Sequence, residues 1–276
     1  MTTASDWSAR VGEVWAEEWR RTDRAFAGLA PHLDAAIAAA APVGAFAALD
    51  IGCGAGATAA ALATAHPRAR VTGVDLSDAL LAVARERHRG VPNLAFRDGD
   101  ALEVGSALAP LDLLVSRHGV MFFADPAVAF ARLHDATAPG GALVFSCFAT
   151  AADNPWATLI APPSASAQAY APGPFAFADP HVPAALLAAA GWRAGPPTLM
   201  RFAYRVGEGD DPVEDAFAFL TRIGPAASRL RAVAAAERAS LADRLRDALA
   251  AQRIGAAIDF PAAAWIWTAR ATGERR

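Results

Sequence analysis

The residues with the clearest chemical content form one short run, Leu49-Asp50-Ile51-Gly52-Cys53-Gly54-Ala55-Gly56-Ala57. Three glycines at alternate positions let a backbone turn tightly and approach a ligand closely, where any Cβ would intrude. Gly52, Gly54 and Ala57 also satisfy the permissive dinucleotide pattern G-x-G-x-x-A, so the run alone admits a nicotinamide cofactor. Asp75 fits either ligand, because a carboxylate at the end of the next strand can accept ribose hydroxyls in both. Asp50 favours a cationic ligand. It sets a carboxylate beside the glycines, which suits a sulfonium and opposes a pyrophosphate. Asp98-Gly99-Asp100-Ala101 then closes the third strand, where Asp100 can accept an adenine amino hydrogen. No Arg stands near the glycines in sequence to cradle phosphate.

A second group follows the fourth strand: Ser116-Arg117-His118-Gly119. His118 is the one histidine expected at the carboxyl edge of the sheet. Its ordinary pKa suits a general base or a group that orients an acceptor hydroxyl. Arg117 could pair with an acidic acceptor or a structural carboxylate. His32, His66, His88, His134 and His181 have no metal-ligand spacing, so no metal is expected. Cys53 has no second thiol or base near it in sequence and reads as a small filler. Trp7, Trp15 and Trp19 share a helical face, as packing or as a substrate clamp.

These residues need elements to hold them. Residues 5–40 are predicted helical, with Asp6 as cap. Strands are predicted at Phe46–Ile51, Arg70–Leu76, Asn93–Arg97, Leu111–Ser116 and Ala142–Phe148. Helices fall between them at 57–65, 77–89 and from Pro126 to the stop at Pro139-Gly140-Gly141. Strand–helix alternation specifies a parallel, doubly wound sheet with helices on both faces. Beyond Phe148 the rhythm changes. Residues 150–182 form an aromatic, Pro-rich insertion, 183–190 a helix, 199–206 a strand, and 212–253 two helices broken at Gly224-Pro225. Ala263–Arg270 is a final strand. The expectation is one domain over 1–276: a helical cap (1–40), a cofactor-binding core (41–149) and substrate-side insertions (150–182 and 212–253).

Composition bounds the function. The 276 residues are 54% hydrophobic with formal net charge −3, and all 25 basic residues are arginine. Without lysine, Walker-type phosphate binding, Schiff-base chemistry and a Tyr-Lys dehydrogenase pair are excluded. No basic stripe invites nucleic acid. Two cysteines, no apolar N-terminal leader and no membrane-length apolar run lead to the expectation of a cytoplasmic protein that acts on a small molecule. A homodimer is left open.

The motifs LDIGCGAGA (49–57), VTGVDLS (71–77), RDGDA (97–101), LDLLVSRHGVMFFADP (111–126) and APGGALVFSCF (138–148) resemble the class I S-adenosylmethionine-dependent methyltransferases. The likeness is to the bacterial group related to the ubiquinone and menaquinone biosynthesis methyltransferases. NPW (154–156), PGPFAFADP (172–180), LLAAAGW (186–192) and AAWIWTAR (263–270) resemble a subgroup of it. The resemblance implies a Rossmann-like fold with an antiparallel last strand. It also implies S-adenosylmethionine as cofactor and transfer of its methyl group to O, N or C of a small acceptor, with an NAD(P)-dependent oxidoreductase or a non-catalytic cofactor-binding module as the alternatives. Asp50, Gly52, Gly54 and Gly56 would line the methionine end, Asp75 the ribose, Leu76 the adenine face, Asp100 and Ala101 its edge, and Ser116 the methionine moiety. His118 stands where the subgroup often carries an aromatic residue, which marks it for chemistry particular to this chain. The acceptor is expected beside Trp15, Trp19, Trp156 and Phe177.

Overall fold

The computed structural model describes residues 10–160 and 170–273. Trp7 and Asp6 lie outside them. Helices α1 (Arg10–Glu17), α2 (Trp19–Phe26) and α3 (Ala30–Ala40) precede β1 (Ala47–Ile51). Then α4 (Ala57–Ala65), β2 (Arg70–Asp75), α5 (Asp78–His88), β3 (Leu94–Asp98), α6 (Ala101–Leu108), β4 (Leu111–Arg117), α7 (Pro126–Asp135) and β5 (Thr137–Phe148) complete the alternating region. The C-terminal part adds α8 (His181–Ala189), β6 (Trp192–Ala194), β7 (Thr198–Glu208), α9 (Pro212–Leu220), α10 (Pro225–Ala232), α11 (Ala235–Gln252), β8 (Arg253–Ile254) and β9 (Ala257–Ala271).

The sheet runs β3-β2-β1-β4-β5-β9-β6, with β7 and β8 also paired to β9. β1 to β5 are parallel and everything joined to β9 is antiparallel. This is the expected Rossmann-like sheet with its antiparallel close. Strand β1 is buried along its whole length and β4 nearly so, as strands covered on both faces by helices must be. The order reverses between β1 and β4. Loops at that point leave in opposite directions and open a crevice at the carboxyl edge.

Several boundaries differ from the sequence reading. The N-terminal region is three helices rather than one. Helix α6 was not anticipated, because Asp98-Gly99-Asp100 reads as a turn; Asp100 is in fact its N-cap, accepting from Leu102 N at 2.7 Å. Helix α7 stops at Asp135, before Pro139-Gly140-Gly141. Those residues lie inside β5, where the register against β4 jumps from Leu111↔Thr137 to Leu113↔Ala142. The glycines serve this bulge: a Cβ on Gly141 would lie 2.9 Å from Ala138 O and 3.0 Å from Asp112 O. The 212–253 segment holds three helices, α9 to α11, and β9 begins six residues before the predicted strand.

Candidate active site

A cavity of about 390 Å³ lies at the switch point. Its chemistry changes along the sheet edge. Asp100, Asp75 and Asp50 follow β3, end β2 and sit within β1, respectively, and all three line it. On the far side it is lined by Phe26, His118, Phe148, Trp156 and Tyr204. The site therefore has an acidic half and an aromatic half, and β1 and β4 meet between them.

Glycines allow that meeting. A Cβ on Gly119 would lie 2.6 Å from Ile51 O, so the loop after β4 can touch the end of β1 only without a side chain there. Ser116 braces the same contact: its hydroxyl donates to Ile51 O at 2.8 Å and accepts from Gly119 N at 3.1 Å. Ser116 is fully buried and does not line the cavity, so its role is to hold the two strand ends together. Gly52 and Gly54 line the cavity in left-handed backbone conformations. Gly56, also left-handed, lies off the cavity. A Cβ there would run into the Phe96 ring at 2.7 Å, so this glycine serves the packing of the loop.

Asp75 accepts from Gly54 N at 2.8 Å and from Ser77 N at 3.0 Å, and burial raises its pKa. It thus pins the glycine loop while facing the cavity beside Leu76 and Ala101. Asp50 is 1% exposed, and neither carboxylate oxygen has a hydrogen-bond partner among the described residues. Burial pushes its pKa up to about 7, opposed by the field of Arg117 and by the nearby backbone N–H of Ala59. A buried, unpartnered carboxylate costs stability unless a cationic or donor group meets it. Of the ionisable groups among the described residues around the cavity, Asp23, Asp50, Asp75, Asp100 and Asp125 are acidic, whereas Arg117 is the one arginine. Arg117 is already paired with Asp23 at 2.8 Å.

His118 lines the aromatic half and is 6% exposed. Its φ of +61° places a residue with a Cβ in the left-handed region, at a cost on the order of 1 kcal/mol. Its backbone N donates to Ser146 O at 3.1 Å, and Nδ1 lies 2.9 Å from Ser146 Oγ. Phe26 and Phe148 pack on the ring at 4.8 and 4.3 Å between centroids. Burial, then Arg117, lowers its pKa to about 3. This corrects the expectation of a base poised near neutrality: desolvation keeps the imidazole uncharged.

Trp15, Trp19 and Trp156 also line the cavity. Trp156 stacks on Tyr204 at 4.7 Å and donates to Asn154 Oδ1 at 3.3 Å. Buried Asn154 meets Thr150 O and Ala263 with its other polar groups, which explains the Asn-Pro-Trp run as a folded corner. Phe177 does not reach the cavity. It is wholly buried in the core between Phe130 and Tyr170, where its size is used for packing. Asp23, Phe26, Phe148, Tyr204 and Ser146 were not singled out from sequence. Phe26 continues the helical spacing of Trp15 and Trp19, a signal that was available. The others depend on tertiary neighbours.

Residues 49–145 match the family model for a methyltransferase domain. The chain is 36% identical over 129 residues to a trans-aconitate 2-methyltransferase of Methylobacterium radiotolerans, covering 42% of this chain and 48% of the relative. It is 37% identical over 93 residues to a demethylmenaquinone methyltransferase of Chlorobaculum parvum, covering 34% and 37%. The chain thus spans about half, or less, of these curated relatives. A Haemonchus contortus phosphoethanolamine N-methyltransferase crystallised with S-adenosylhomocysteine has a similar fold: TM-score 0.51 at 18% identity, over 98% of this chain and 58% of that one. Residues 49–145 thus carry a likeness in sequence to a methyltransferase domain, and they run from β1 into β5 of the parallel sheet.

Proposed function

We propose that the protein transfers the methyl group of S-adenosylmethionine to a small, mostly apolar acceptor. The observation that carries this reading is one cavity that joins the unpartnered Asp50 carboxylate to a chamber of aromatic rings. The residues fit the cofactor: Asp50 offers a buried anion to a cationic methionine end, Asp75 has lone pairs left for ribose hydroxyls, and Leu76, Asp100 and Ala101 border the space for adenine. When bound, the cofactor supplies an electrophilic methyl on a sulfonium leaving group. The chain then needs chiefly to align the acceptor and exclude water, and rings from α2, β5 and β7 together with α9 residues Phe219 and Leu220 supply those walls.

The acceptor reading follows from charge. A tricarboxylate such as the aconitate of the first relative needs several cations, and the cavity's one arginine is already committed to Asp23. An aromatic or alicyclic acceptor fits the chamber better. The two cysteines are free and buried, which suits a reducing compartment, and we place the reaction in the cytoplasm. Among the described residues no helix is long and apolar enough to cross a membrane, and no side-chain cluster could hold a metal ion.

Calorimetric titration tests the cofactor directly. S-adenosylhomocysteine should bind one-to-one, NAD should give no heat, and Asp75→Ala should weaken binding at least tenfold, on the order of 1.4 kcal/mol. Binding of NAD with none of S-adenosylhomocysteine would overturn the proposal.

A further inference from the structure

His118 and Ser146 form a buried polar pair inside the aromatic half. Two hydrogen bonds lock them together, one from His118 N to Ser146 O at 3.1 Å and one between Ser146 Oγ and His118 Nδ1 at 2.9 Å. Ser146 is fully buried on β5, and its hydroxyl has no second partner among the described residues. Nε2 of His118 is buried and has none at all. Phe26 packs tilted and Phe148 edge-on against the ring, and His118 lines the cavity, the side from which a partner for Nε2 would come.

The proton on this pair can be assigned by counting donors. If Nδ1–H donated to Ser146 Oγ, the serine O–H would be a buried donor with no acceptor, a costly arrangement. If the serine O–H donates to Nδ1, the ring proton resides on Nε2 and that N–H is the pair's one unmet group, whereas the other arrangement leaves both the serine O–H and the Nε2 lone pair unmet. We propose that Ser146 fixes His118 as the neutral Nε2–H tautomer, so that the chamber presents one N–H donor to its acceptor rather than a base. Ser146 is then a positioning residue and His118 a specificity determinant.

This names a class of acceptor, and to that extent rests on the methyl-transfer reading. The acceptor offers His118 an oxygen lone pair: a carbonyl, or a phenol or carboxyl oxygen already ionised on entry. An alcohol that must surrender its proton to His118 is excluded, because the ring's basic nitrogen is turned to Ser146. The relation between the site's two nitrogens is thereby reversed from that of a histidine base, whose free nitrogen faces the substrate.

The test is a two-bond proton–nitrogen correlation spectrum of the full chain labelled with ¹⁵N-histidine. His118 is assigned among the six histidines by the signals lost in His118→Phe. The wild type should show the Nε2–H pattern at neutral pH. Ser146→Ala should shift His118 toward Nδ1–H or a mixture, and Ser146→Thr, which keeps the hydroxyl, should restore it. An Nδ1–H pattern in the wild type overturns the proposal whatever the variants do, and an unchanged pattern in Ser146→Ala overturns the part given to Ser146. S-adenosylhomocysteine titrated into the same samples separates the two readings. Failure to bind would remove methyl transfer and leave the tautomer assignment standing.

Discussion

On the proposed reading Asp50 is a cost in the free protein and an asset in the complex. Its folded pKa of about 7 lies well above the ordinary carboxylate value, so the folded state holds a proton that the unfolded chain gives up. This contribution to stability is fully present below about pH 4, falls as pH rises toward 7, and is flat above. At pH 8 the penalty is on the order of 4 kcal/mol as an upper bound. Asp50→Asn should therefore raise the melting temperature of the free protein at pH 8 and have little effect on it near pH 4. The same variant should lose affinity for S-adenosylmethionine. In the wild type that affinity should climb between pH 6 and 8 as the carboxylate ionises, with Asp75 shifting in the same direction. Thermal melts and calorimetry across this range check both statements. His118→Phe should fold, bind cofactor with little change, and lower turnover by roughly 10²-fold. With a pKa near 3, the wild-type histidine should leave no limb in the pH–rate profile at its ordinary value. At this scale the glycines and the carboxylates at strand ends were legible, because few residue types can make such a turn or meet such a ligand. Ser116 and Ser146 were not. A hydroxyl's sequence position does not say whether it braces two loops, sets a tautomer or faces water.

Among the elements, α2 governs closure of the site. Arg21 and Arg24 reach Asp215 on α9 at 2.7 Å each. Asp23, from the same helix, accepts from Arg87 at 2.7 Å and Arg117 at 2.8 Å. Arg87 also donates to Ala55 O in the glycine loop at 2.9 Å and lies over the Trp19 ring at 3.8 Å. The cap is thus tied to the cofactor loop, to the end of β4 and to the C-terminal helices by partly buried charges, which are worth more than surface pairs. Asp23→Ala would leave two arginines short of an acceptor. It should cost roughly 1–3 kcal/mol, and amide exchange should quicken over residues 10–26 while the sheet stays protected. Unchanged exchange there would show that apolar packing alone holds the helix. The Trp15 and Trp19 stripe was visible as a helical face. The ion pairs were not, since each joins residues tens of positions apart. The elements misplaced from sequence were α6 and the bulge in β5. In both places glycine and aspartate served a cap or a bulge, where their propensities read as a loop.

On the scale of the molecule, the alternating region declared a parallel, doubly wound sheet through its buried strands and caps, and the match over 49–145 falls within that region. The C-terminal half was less legible, because its strands depend on pairing with β9 rather than on local pattern. Yet that half, with the N-terminal helices, builds the aromatic chamber. Trp156 and Pro174 come from the first insertion, Phe219 and Ile223 from the second, and Phe26 from the cap. On the proposed reading the arrangement divides labour: the parallel strands would present carboxylates to a cationic cofactor, and the added segments would wall off the place where its methyl group is delivered. A crystal structure with S-adenosylhomocysteine measures this division most directly. The account predicts the ligand in the cavity, with its amino group against Asp50, its ribose against Asp75 and its sulfur turned toward His118 and the rings of Phe148 and Tyr204. A sulfur facing open solvent with the aromatic chamber behind it, or a ligand bound away from Asp50 altogether, would contradict it.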